Sequence, residues 1–133
     1  MELITSLTNA KVKMALSLQQ KKYRDKYQLF ILEGIRNAEM VIAKNISVQM
    51  CFFTQKAFTN ERGKSILEQL NCPCFEVPEH IYQKISDTQS PQGLMLILPI
   101  QNHNLDDLAT INKSGLYLIL DRLQDPGNIG TII

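Results

Sequence analysis

Along residues 28–100, short apolar runs of strand character alternate with amphipathic stretches of helical period. "QLFILEG" is an apolar run ending in Gly34. "IRNAEMVIAKN" then places Ile35, Ala38, Met40, Val41 and Ile42 at helical spacing and stops near Asn45. The alternation repeats with "SVQMCFFT", "NERGKSILEQLN", "CFEVP", "PEHIYQKISD" and "QGLMLILPI". This reading predicts strands near 28–32, 47–54, 73–77 and 93–98. Helices between them present Ile66, Leu67 and Leu70 inward, and Pro78 opens the last in its first turn. Such alternation implies βαβ units and a largely parallel sheet covered on both faces.

Upstream, residues 8–20 carry Val12, Ala15, Leu16 and Leu18 at helical spacing, with Thr8 or Asn9 as the cap. "QKKYRDKY" follows as a charged turn or helical extension. Residues 99–114 break the rhythm: they are polar, contain Pro99 and are rich in Asn and Asp. A first domain over 1–100 is therefore expected. A linker over 101–114 follows, with a short helix at 104–110. A second domain starts at 115 with the strand "GLYLILD".

Hydrophobic content of 44% and charged content of 20% suit a folded globular chain rather than a disordered one. No apolar run approaches the roughly 20 residues of a membrane span, and "MELITSLTNAKVK" lacks the apolar centre of a signal peptide. A cytoplasmic protein with no membrane partner is expected. Cys51, Cys72 and Cys74 make an odd count, and "CPC" is too tight for the usual zinc pair. They read as structural cysteines, and no metal site is expected.

The net charge of +1 conceals an asymmetry. Residues 10–36 hold Lys11, Lys13, Lys21, Lys22, Arg24, Lys26 and Arg36 against Asp25 and Glu33, a net +5 that leaves −4 for the remainder. A local basic segment on a near-neutral chain points to one polyanion contact. Tyr23 and Tyr27 among these cations either stack on unpaired bases or anchor the turn to the core, and both readings stay open. Glu33, at a strand-to-helix junction, reads as a structural group favouring the helix start. Gln92 in "SPQG" is either a donor to a base or phosphate or part of a plain turn shaped by Pro91 and Gly93. His80 and His103 are isolated.

The last stretch, "LYLILDRLQDPGNIGTII", reads as a buried strand, a stiff turn and a helix starting at Asn128. Pro126 fixes φ, Gly127 and Gly130 relieve crowding, and the helix start offers N–H groups to an anion. "GNIG" is neither a dinucleotide fingerprint nor a phosphate-binding loop.

"LDRLQDPGNIGTII" resembles the first signature motif of the SpoU/TrmH family of RNA ribose 2′-O-methyltransferases, of the SPOUT class. "SLTNAKVKMALSLQQKKYRDKYQLFILEGIRNAEMVI" and "SDTQSPQGLMLI" are similar to that family's substrate-binding domain. The resemblance covers essentially the whole chain. It implies a three-layer α/β/α sandwich like those of ribosomal RNA-binding proteins, followed by the first strand of a truncated knotted domain. It also implies methyl transfer from S-adenosylmethionine to a ribose 2′-oxygen, with ribosomal RNA the expected substrate.

Asn128 matches the motif residue that organises the catalytic pocket. The family's activating Arg would fall at position 134, one past the last residue. The motifs that bind S-adenosylmethionine are absent, so this chain is expected to bind no cofactor and to be inactive alone. The whole enzyme is expected to be a homodimer through the missing catalytic domain. The expected RNA contacts are Lys11, Lys13, Lys21, Lys22, Arg24, Arg36 and Gln92. Two rivals remain. One is a non-catalytic RNA-binding module similar to ribosomal proteins that recognise kinked RNA. The other is a flavodoxin-like nucleotide-binding protein, which the missing phosphate-binding glycine loop disfavours.

Overall fold

The computed structural model describes residues 1–102, 118–122 and 126–132. The chain divides into two compact units, Met1–Gln101 and Asn102–Ile133.

The first unit is a mixed α/β fold. Its strands are β1 (Glu2–Leu3), β2 (Leu29–Glu33), β3 (Met50–Phe53), β4 (Cys74–Glu76) and β5 (Leu94–Pro99). Its helices are α1 (Ala10–Ser17), α2 (Lys21–Tyr27), α3 (Ile35–Ala43), α4 (Gln55–Thr59), α5 (Glu61–Gln69) and α6 (Glu79–Ile85). The strands form one five-stranded sheet in the order β1-β4-β3-β5-β2.

The sheet is mixed, which corrects the expectation of a largely parallel one. β4 pairs in parallel with β1 and β3, but β5 runs antiparallel to both β3 and β2. The reason lies between α6 and β5. The segment after α6 stays at the end of the sheet where β2 and β3 finish. There Ser86, Asp87 and Thr88 bond Glu33, the last residue of β2. Thr54 N–H, just past β3, donates to Gly93 O, and Gly34 N–H donates to Leu94 O. β5 therefore starts at that end and must run back.

Residues alternate between two cores along each strand. Met95 and Ile97 of β5 join Phe52, Phe75, Val12, Ala15, Ile81 and Tyr82 on one face. Leu94, Leu96 and Leu98 join Phe53, Ile35, Val41, Ile66 and Leu67 on the other. β5 has no solvated face, which explains its unbroken apolar run. Each such Leu, Ile or Phe contributes about 1.5–3 kcal/mol by burial.

Local chemistry sets the helix ends. Asn9 Oδ1 accepts from Lys11 N–H to cap α1, and Asn60 Oδ1 accepts from Arg62 and Gly63 N–H to cap α5. Pro78 sits just outside α6 at its N-cap rather than in its first turn. In α3, Ile35, Ala38 and Val41 are buried, but Met40 is 59% exposed and Ile42 is only half-buried. Met40 stands two positions from both Ala38 and Ile42, so helical rotation carries it off the stripe. α4 and β1 carry too short a pattern to announce themselves in sequence.

In the second unit, α7 (Pro126–Ile132) starts two residues earlier than expected, with Pro126 at its first position. The strand expected from 116 is not formed at the described residues 118–120. Leu118, Ile119 and Leu120 are exposed. A strand needs a hydrogen-bonding neighbour, and no strand is formed at these described residues. The helix expected at 104–110 lies outside the described residues. Among the described residues, no helix is long and apolar enough to cross a membrane.

Candidate functional site

The segment of highest positive charge folds as α2, four cations and one carboxylate in seven residues, with none of them fully buried. Lys22 and Lys26 lie against the rings of Tyr23 and Tyr27, their Nζ atoms 5.8 and 5.3 Å from the centroids. The two rings face each other nearly in parallel, with centroids 6.2 Å apart. Neither tyrosine belongs to a core cluster. The structure thus disfavours the core-anchoring alternative and leaves an aromatic and cationic surface.

The cations differ in how far the fold commits them. Arg24 Nη1 donates to Leu18 O and Gln19 O, at 2.9 and 2.8 Å, closing the end of α1. Lys11 pairs with Glu2 at 2.9 Å and lies 4.0 Å from the Phe75 ring centroid. Among the described residues, Lys13, Lys21 and Arg36 make no hydrogen bond or ion pair that holds them to the fold.

A chain of hydrogen bonds ties α2 to the end of β2. Gln19, held by Arg24, donates its amide to Lys84 O and Ile85 O at the end of α6. The next residue, Ser86, donates to Glu33 Oε2 at 2.7 Å, and Asp87 N–H donates to Glu33 Oε1 at 3.0 Å. Glu33 therefore secures the loop after α6 rather than the start of α3, which corrects its expected role. The start of α3 is capped from elsewhere: Gln92 Oε1 accepts from Ile35 N–H at 2.8 Å. Gly34 makes that approach possible. Its φ is +101°, and a Cβ there would lie 3.3 Å from Gln92 Oε1.

Between the loop and α3 lies an open groove of about 320 Å³. Glu33, Gly34, Arg36, Asn37, Thr88, Ser90 and Gln92 line it. Asn37 Nδ2 donates to Glu33 O, and Lys56 Nζ donates to Pro91 O, so both walls are pinned. The guanidinium of Arg36 is exposed beside them. Its charge adds a smaller pull on Glu39, whose carboxyl the Arg62 hydrogen bond already holds below the usual range. A wider cleft of about 470 Å³ between α3 and α5 brings together only the Arg62–Glu39 pair and neutral side chains besides Glu61.

The expected contacts thus fall into groups. Arg36 and Gln92 share the groove, and Lys21, Lys22 and Arg24 share α2. Lys11 and Lys13 sit in the first half of α1, about 9 and about 6 Å along the helix from its end at Ser17. Asn37, Thr88 and Ser90 are groove residues that the sequence reading missed. Their signal was the pairing of "LEG" with "SPQG", which only the antiparallel register of β2 and β5 makes adjacent. The surface offers exposed cations, neutral donors and aromatic faces, which suits a polyanion with stackable bases.

The Asn128 side chain lies outside the described residues, as do His103 and position 134. The apolar residues 118–120 of the second unit are exposed, and a Cβ on Gly130 would meet no atom within 4 Å. No group of His, Cys, Asp or Glu among the described residues is arranged to hold a metal ion.

Residues 9–96 match the MRM3-like substrate binding domain. The chain is 31% identical over 118 residues to rRNA methyltransferase 3, mitochondrial, of Xenopus laevis, covering 86% of this chain and 28% of that protein. It is 30% identical over 133 residues to the 23S rRNA (guanosine(2553)-2'-O)-methyltransferase RlmP of Bacillus subtilis, covering 100% of this chain and 49% of that one. The chain thus spans half or less of the length of these relatives. A crystal structure of an RNA 2'-O ribose methyltransferase superposes with a TM-score of 0.73, at 23% identity, over 98% of this chain and 49% of that one. At that identity the likeness is one of fold.

Proposed function

The chain belongs to the MRM3-like substrate binding domain family of SpoU/TrmH rRNA 2'-O-methyltransferases, and from that premise we propose that it is the RNA-holding part of such an enzyme. The observation that carries the reading is the α2 surface linked by hydrogen bonds to the groove at Arg36 and Gln92. Exposed lysines supply salt-sensitive affinity for phosphates, and the Tyr23 and Tyr27 faces suit unpaired bases.

In this reading Met1–Gln101 is the RNA substrate-binding domain, its two cores forming the outer joints of a three-layer sandwich. The second unit begins the methyltransferase domain. The whole protein transfers a methyl group from S-adenosylmethionine to a ribose 2′-oxygen of ribosomal RNA and works in the cytoplasm as a homodimer. In the same reading the 133-residue chain binds RNA without turning it over. For this chain alone, the rival reading as a non-catalytic RNA-binding module makes the same statement.

The test uses the 133-residue chain, its Arg36→Ala variant, a structured ribosomal RNA fragment and duplex DNA of equal length. Preference for the RNA, weakened about tenfold by the substitution, is expected, together with no methyl transfer from labelled S-adenosylmethionine. Equal affinity for both nucleic acids, or unchanged RNA binding by the variant, would refute the groove as an RNA contact. Methyl transfer would refute the division of labour.

A further inference from the structure

The fold brings together three cysteines that sequence separates, on the sheet end away from the RNA groove. Cys51 in β3 and Cys74 in β4 are register partners in adjacent parallel strands. Cys51 N–H donates to Pro73 O at 2.9 Å, locking the register between them. Cys72 precedes β4, and the Cys74 sulfur lies 3.4 Å from its carbonyl oxygen. All three pack in the core cluster shared with α3 and α5. Cys51 is fully buried, whereas Cys72 and Cys74 are half-buried, and all three are free thiols.

Paired strands lie roughly 4.8 Å apart. That falls inside the Cα separation of about 4.4–6.8 Å that a disulfide requires. Cys51 and Cys74 also project to the same side of the sheet. Cys72 and Cys74 are two residues apart on an extended segment, roughly 6.6 Å at strand rise, near the upper limit of that range. Hydrogen bonding from the Cys51 thiol, and then from the Cys72 thiol, holds Cys74 well below the ordinary thiol range. The same pairing, with burial, pushes Cys51 up.

We propose that Cys74 and Cys51 are a redox-modifiable pair, in which Cys74 reacts with hydroperoxides and Cys51 resolves it as a disulfide bridging β3 and β4. The Cys74 thiolate attacks one peroxide oxygen. An S–O bond forms, the O–O bond breaks, and the leaving hydroxide or alkoxide takes a proton. Cys74 is then a sulfenic acid. The Cys51 sulfur attacks the Cys74 sulfur, the S–S bond forms and the S–O bond breaks, and water leaves with the Cys51 proton. Two thiols give two electrons to one peroxide. Cys74, half-buried where Cys51 is fully buried, is the partner the oxidant reaches, and Cys51 needs no solvent access to resolve it.

The test treats the folded 133-residue chain with hydrogen peroxide, alkylates the remaining thiols and maps disulfides after trypsin digestion. Cys51 falls in the peptide 45–56, and Cys72 and Cys74 fall together in 65–84. A fall from three free thiols to one, with 45–56 joined to 65–84 through Cys74, is expected. Cys72→Ser keeps that bridge. Cys51→Ala loses it and accumulates a sulfenic acid that dimedone traps. Mapping the unsubstituted chain needs no variant to fold. A loop confined to 65–84, a link through Cys72, disulfide-linked dimers, or three thiols surviving the treatment would each overturn the proposal.

Discussion

Tyr82 and Thr54 are buried side chains whose hydroxyls find no hydrogen-bond partner among the described residues. Burial, and then the charge of Glu33, pushes the Tyr82 phenol up, so it stays a neutral hydroxyl among apolar neighbours. An unsatisfied buried group costs about 1–3 kcal/mol, and removing it without changing shape recovers part of that. Tyr82→Phe is therefore expected to leave the melting temperature unchanged or raise it. A fall of several degrees would show that the hydroxyl has a partner. Other single side chains were only partly legible in the sequence. Arg24 was picked out as a cation, yet its commitment to Leu18 O and Gln19 O depends on where α1 ends. Gln92 was picked out as a donor. Its carbonyl oxygen also accepts from Ile35, a residue 57 positions away that only strand pairing brings near, which leaves the amide N–H groups as the donors. Charge and residue type show in a sequence, whereas a partner across the sheet does not.

Among the elements, β5 and α2 mark the limits of that legibility in different ways. The apolar run of β5 marked it as a buried strand, but a strand covered on both faces reads the same in either direction. Its reversal came from the loop that Glu33 holds after α6. α2 was left open between turn and helix because no buried face imposes a period on it. It is held by its ends: Arg24 reaches back to α1, and Gln28 takes the left-handed φ of 53° that stops it. This separates two kinds of cation on one helix. Lys21 and Lys22 are solvent-facing, and Arg24 is structural as well as charged. Lys21→Ala with Lys22→Ala is expected to reduce RNA affinity and to flatten its salt dependence by about 0.7 log–log units per lost phosphate contact with single-stranded RNA. Adding Arg24→Ala would confuse lost contacts with a loosened α1–α2 junction, so the double variant is the cleaner measurement. Unchanged slope and affinity would make α2 a merely solvated face.

At the scale of the molecule, the two cores decide what folds on its own. Every buried residue of both clusters lies between Ile4 and Leu98, and the five-stranded sheet closes within Glu2–Pro99. The groove residues and the whole of α2 fall inside the same span. Polar residues interrupt the alternation from 99 on, and the first compact unit runs to Gln101. A core needs consecutive elements with inward faces, and the sequence of residues 99–114 offers few apolar positions for one. A chain of residues 1–101 is therefore expected to fold independently. It should unfold in one cooperative transition and bind the same RNA within about threefold of the 133-residue chain. Thermal unfolding followed by circular dichroism, with RNA titrations at matched salt, measures both. Lost cooperativity would mean that the second unit completes the core. Cooperative folding with affinity down a hundredfold would move part of the RNA surface into residues 102–133 and limit the role of α2 and Arg36 to orientation.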